Sequence, residues 1–131
     1  MLDDRFRALA LTMGFGAIFD FAFAAAILVV PHASSTLLGI PLPDDPFYLR
    51  LVAVLLVILG AVYLLPARAP ERFHAIAPIS ASGRVLGFVL FALAWSHGRP
   101  PAFLALGLTD LALALVTLAA WARARAASPS R

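Results

Sequence analysis

Four apolar runs, each close to the ~20 residues that carry an α-helix across a bilayer, leave this chain few ways to fold. They fall at about 9–30, 47–65, 76–96 and 102–122. Backbone polar groups cannot stay unpaired in hydrocarbon, so such runs cross as helices. The period-two alternation of a membrane barrel is absent. The chain therefore reads as an all-α membrane protein, a four-transmembrane-helix bundle making one transmembrane domain over 1–131. Composition points the same way. At 63% hydrophobic and 13% charged residues, the chain has too little polar material to cover a soluble domain of this size. The surplus apolar surface is expected to face lipid. The first run is longer than the ~7–15 residue core of a signal peptide, carries Asp20 and lacks a small-residue cleavage site after it. It reads as a retained span.

The segments between the runs are rich in helix breakers. "VPHASSTLLGIPLPDDP" (30–46) holds four prolines and Gly39, and residues 31–46 read as an external loop. The loop ends in Asp44-Asp45-Pro46, an N-cap followed by proline at a first helical turn. "PARAPERFHA" (66–75) and "SHGRPP" (96–101) separate the remaining runs. Seven arginines (Arg5, Arg7, Arg68, Arg72, Arg123, Arg125, Arg131) fall on one side of a four-span topology, against Arg50 and Arg99 on the other. This bias places both termini in the cytoplasm. Tyr48 and Trp95 then mark the outer interface, and Tyr63 and Trp121 the inner one. The tail 123–131 is expected to be disordered and to sit against anionic headgroups. Arginine is the only basic residue besides histidine and alanine is heavily used, which fits a GC-rich bacterial genome.

Charges inside the runs are the exception that needs an explanation. With a rise of about 1.5 Å per residue, Asp20 lies roughly 15 Å from the inner boundary, Arg84 about 12 Å from it, and Asp110 about 12 Å from the outer one. The three share a depth near the midplane. Arg50 lies only about 5 Å in from the outer surface, within reach of water or of Asp110. Each midplane charge has small neighbours one turn away: Gly16 and Ala24 beside Asp20, Ser80 and Gly87 beside Arg84, Gly107 and Ala114 beside Asp110. Gly83 and Gly87 form a small-xxx-small pair. Small residues let a second helix approach, so these faces are expected to turn inward, while Phe15, Phe19 and Phe23 form a lipid-facing stripe. Asp20, Arg84 and Asp110, with Arg50 a candidate fourth member and Ser80 alongside, then offset part of one another's charge. Intramembrane charges are functional candidates by default, and a salt-bridged network can also serve only to fix helix packing. Both readings stand at this point.

Other chemistry finds little support. His32 and His97 near Asp44 and Asp45 match no metal spacing, and no metal is expected. The absence of cysteine excludes disulfides and thiolate sites. "GFG" (14–16) and "SGRVLG" (82–87) sit inside helical runs and lack the strand-to-helix setting of a phosphate loop. Ser34, Ser35 and Ser80 have no His/Asp partner pattern for nucleophilic catalysis. No basic stretch with interleaved aromatics is present, so nucleic acid is not an expected partner.

The order of elements, a first span, then "LLGIPLP" (37–43), then "YLRLVAVLLVILGAVYLL" (48–65), a short basic loop and two further spans, resembles the DoxX-like group of small bacterial four-helix membrane proteins. Span one lacks the glycine-and-lysine pattern common near its end in that group and carries Asp20 instead, so no site residue is transferred. The resemblance implies a four-helix bundle in the inner membrane and an accessory link to redox or quinone systems. The leading expectation is a small-amphiphile-binding or redox-associated accessory subunit. Its ligand would be a quinone or lipid, and its partners the bilayer together with a membrane subunit or a second copy. A proton-linked carrier using Asp20 or Asp110 ranks second, since inverted repeats and broken helices are not visible. An intramembrane acid–base enzyme ranks third, because a guanidinium beside a carboxyl group favours its charged form.

Overall fold

The computed structural model describes residues 4–126, and the side chains of all of them except Arg5. Six helices follow one another: α1 (Asp4–Val29), α2 (Pro31–Leu38), α3 (Pro46–Arg68), α4 (Pro70–Phe73), α5 (Ile76–Ser96) and α6 (Pro101–Ala126). Among the described residues there is no strand. Helices α1, α3, α5 and α6 are each long and apolar enough to cross a membrane. The chain is an all-α, four-helix membrane bundle, as its apolar runs predict.

Four of the six helices begin on a proline, whose fixed φ suits a first turn and whose missing N–H would have no helical partner there. Asp45 caps α3, its Oδ1 accepting from the Phe47 N–H at 2.8 Å. This proline usage corrects two sequence expectations. Residues 31–46 are not all loop, because Pro31 opens α2 and Gly39, at φ 63°, closes it in the left-handed conformation. The Ile40 N–H then reaches back to Ser35 O at 3.1 Å, a glycine-terminated helix end. In 66–75, α3 continues through Pro66 to Arg68 and α4 follows at once. Pro66 and Pro70 are fully buried, and that packing offsets the hydrogen bond a late proline removes. The expected tail is also shorter than 123–131. Helix α6 runs to Ala126, with Arg123 and Arg125 in a last turn whose dipole favours cations. Residues 127–131 lie outside the described residues.

Neighbours in sequence pair in space. Helix α1 lies along α3, α5 lies along α6, and a smaller α1–α6 interface joins the two pairs. Helices α3 and α5 barely meet. The spans thus stand in the cyclic order α3, α1, α6, α5, with α1 opposite α5, α3 opposite α6, and a nearly open seam between α3 and α5. The end carrying Asp4, α4 and Ala126 is called the termini end below, and the opposite one the α2 end.

The buried positions are mostly small. Ala17, Ala53, Ala77, Ala81, Ala114 and Ala124 are wholly covered, while Ile18, Ile79, Leu86 and Leu90 are exposed. In lipid there is no hydrophobic gain from hiding leucine, so close backbone approach through small residues holds the helices. Gly60 shows how close this is: a Cβ there would lie 2.9 Å from the Phe21 ring. The phenylalanine stripe is only partly lipid-facing. Phe15 is exposed, but Phe19 and Phe23 are half-buried and stack at 6.1 Å. A four-residue spacing drifts about 40° per step around a 3.6-residue helix, which carries Phe23 onto the cluster of Ala24, Ile27 and Ala53.

Candidate functional site

The bundle brings three charges of three helices to one point. Arg84 of α5 donates through Nη1 to Asp110 Oδ1 of the adjacent α6 at 2.8 Å. Through Nη2 it donates to Asp20 Oδ1 of α1 at 3.2 Å. Because α1 stands opposite α5, the second bond crosses the bundle, a reach that the length of the arginine side chain permits. Asp20 and Arg84 are 4% and 7% exposed, so both charges have left water, and each is compensated only by this network.

Small residues make the crossing possible. A Cβ on Gly16 would lie 3.3 Å from Arg84 Nη2, and one on Gly87 only 2.8 Å from Asp110 Oδ2. Gly83 differs from the close-packing role expected of it, since a Cβ there meets nothing within 4 Å. It faces a cavity instead of a helix.

That cavity fills the α3–α5 seam. Its volume is about 370 Å³, and its inner wall is Asp20, Arg84 and Asp110. Leu56, Leu59, Val62 and Tyr63 of α3 line one side, and Ile76, Ile79, Ser80 and Gly83 of α5 the other. Ile79 is 72% exposed, so the cleft opens sideways, toward the surroundings of the bundle, in the half nearer the termini end. Ser80 is buried and lies with Oγ 3.9 Å from Met13 Sδ.

Tyr63 is the residue that sequence reasoning placed elsewhere. Expected at the inner membrane interface, it is 5% exposed, and its ring centroid lies 5.2 Å from Arg84 Cζ, within cation–π range. The signal was present in α3. Ala53 and Gly60 are two turns apart on the buried face, and Tyr63 follows Gly60 by three residues, on that same face. Trp121 is likewise half-buried against the core at the termini end, with Arg125 Cζ 4.9 Å from its ring. Arg50 stays outside the network. It is exposed on α3, at the corner opposite the helix of Asp110, which puts a fourth ion-pair partner out of reach.

A second cavity, of about 520 Å³, lies beyond the charged layer at the α2 end. All four spans contribute to it, through Ile27, Val52, Phe91 and Phe103 among others, and α2 with the following segment covers it with Leu37, Leu38 and Ile40. Its two serines are occupied: Ser34 Oγ donates to Ala26 O at 3.1 Å and Ser35 Oγ to Ile40 O at 2.6 Å. Among the described residues no group of three His, Cys, Asp or Glu side chains is placed to hold a metal ion. His97 Nδ1 instead lies 2.7 Å from Leu93 O of its own helix.

No family model matches the chain, and no curated protein or solved structure matches it either.

Proposed function

We propose that this membrane protein binds a small amphiphile in the cleft between α3 and α5. The observation that carries the reading is the composition of that cleft, with apolar walls reaching the bundle surface and three charged side chains at its inner end. Such a site buries a hydrocarbon chain along α3 and α5 and meets a polar head at the midplane, as ligand sites with apolar walls and few polar groups do. A lipid or a quinone has this form. The redox-associated accessory role implied by the DoxX-like layout is one version of the same reading, with a membrane subunit or a second copy as partner. The arginine bias sets the orientation in this proposal, with the termini end in the cytoplasm of a bacterial inner membrane. Reporter fusions after Arg72 should then read as cytoplasmic and fusions within 34–42 as external, and the opposite result would invert the site.

Mass spectrometry of the gently purified protein tests the binding itself. A co-purified small molecule is expected in the wild type and should be lost from Gly83→Leu, which fills the cleft at a position with room for a side chain. An empty wild type, or an occupant indifferent to Gly83→Leu, would remove the proposal. The carrier reading is second, favoured by one observation: cavities lie on both sides of a single charged layer. It calls for proton uptake by reconstituted vesicles that disappears in Asp110→Asn.

A further inference from the structure

The charged layer does not balance. Within the layer two carboxylates, Asp20 and Asp110, stand against one guanidinium, Arg84, and both ion pairs use that same arginine. Arg50, the other arginine of the four apolar runs, is exposed and outside the network. With all three groups ionised the layer carries one excess negative charge in a medium where an uncompensated charge is costly. Arg84 keeps three free N–H donors, but its single positive charge is already shared between two carboxylates. Two of its nitrogens are engaged by carboxylates and its guanidinium lies near the Tyr63 ring. Exposure ranks the three in a telling order. The side chain of Asp20 is 5% exposed, that of Arg84 8%, and that of Asp110 20%. The charge that the cleft presents is therefore the carboxylate of Asp110.

Resting on the cleft reading above, we infer that the site selects amphiphiles with a monocationic head, such as an ammonium on a hydrocarbon tail, and that Asp110 is the counterion. An anionic head would meet two like charges and an arginine whose charge is already shared. A neutral head would leave the excess charge where it is. A monocation offsets it, at short range and away from water, where opposite charges attract most strongly. The tail then runs along Leu59, Val62 and Ile79 toward the open side of the seam.

Three probes with the same tail and different heads test this: decyltrimethylammonium, decanoate and decanol, each measured by equilibrium dialysis against the purified protein in nanodiscs, with protein-free nanodiscs subtracted. The wild type should bind decyltrimethylammonium saturably and at least about tenfold more tightly than the other two, a free-energy difference of about 1.4 kcal/mol. Asp110→Asn should lose that preference and Asp110→Glu, which restores the charge, should keep it. A cation preference that survives Asp110→Asn overturns the role of Asp110. A preference for decanoate or decanol that is abolished by Gly83→Leu overturns cation selection and leaves the cleft as the binding site. If no probe shows saturable binding sensitive to Gly83→Leu, the inference and the binding proposal fall together.

Discussion

The cleft and the α2-end chamber are two cavities of one bundle, divided by a single charged layer, yet they treat polar groups in opposite ways. In the chamber, Ser34 and Ser35 turn their hydroxyls onto backbone carbonyls close by in sequence, and the lining is left almost wholly apolar. In the cleft, the charged groups are satisfied across helices, through bonds spanning 26 and 64 residues. A hydroxyl that folds back on its own backbone has no donating capacity left for a ligand. Charges satisfied at long range, and in unequal number, keep some capacity for one. The contrast is what favours the smaller cavity as the proposed binding site.

The largest expected effect breaks the long-range side of this contrast. Arg84→Met leaves the buried Asp20 and the half-buried Asp110 without their partner and should cost about 3–5 kcal/mol, seen as a large drop in the unfolding midpoint in detergent. Adding Asp20→Asn should restore part of that loss, and removing all three charges should restore more. Strictly additive changes in the double-mutant cycle would mean that the three residues do not act as one network.

Next comes a pair of leucine truncations, one at each end. Leu9 is wholly buried at the termini end, and Leu9→Ala should cost about 2–5 kcal/mol through the cavity it opens. Leu38 already borders the chamber, so Leu38→Ala opens little new space and should cost less than ~1 kcal/mol. Equal losses would sharpen the comparison in an unexpected direction, since they would show that the chamber is filled in the working protein.

A smaller effect separates two glycines of α5. Gly87→Ala drives a methyl group toward Asp110 Oδ2 and should destabilise by about 1–3 kcal/mol, as overpacking does. Gly83→Ala enters free space and should be neutral or up to ~1 kcal/mol stabilising through helix propensity. If both behave alike, the cleft closes in the membrane. The smallest change is Asp45→Ala, which removes the α3 cap and should cost about 1 kcal/mol while leaving binding in the cleft intact.

The four spans and the convergence of Asp20, Arg84 and Asp110 could be read before any coordinates, because both depend on quantities that the sequence carries directly. Hydrophobic length selects the spans, and a rise fixed per residue places the charges in depth. What the sequence withheld depends on neighbours. Pro31 and Gly39 look like loop residues until one knows that they are the two ends of α2. Tyr63 sits near a span end, where an interfacial aromatic is the ordinary reading, and only the direction of the small face of α3 turns it inward. Arg50 lies at a workable depth on the wrong corner, and corner assignments follow from which helices pair. The seam between α3 and α5 is of the same kind, a property of arrangement with no residue pattern of its own.

The pairing of α1 with α3 and of α5 with α6 also bears on how the chain enters its membrane. The second pair brings its own neutrality, since Arg84 and Asp110 meet within it. The first pair carries Asp20 with no ion-pair partner of its own, since Arg50 of α3 is exposed, at a depth where an aspartate disfavours insertion by about 2.5–3.5 kcal/mol. Its partner Arg84 lies 64 residues further along the chain, roughly 3–13 s later at ribosomal rates of ~5–20 residues per second. During that interval the leading span holds an acid with no counter-charge. It must keep a proton, borrow a partner from the insertion machinery, or wait at the bilayer edge until the arginine is made.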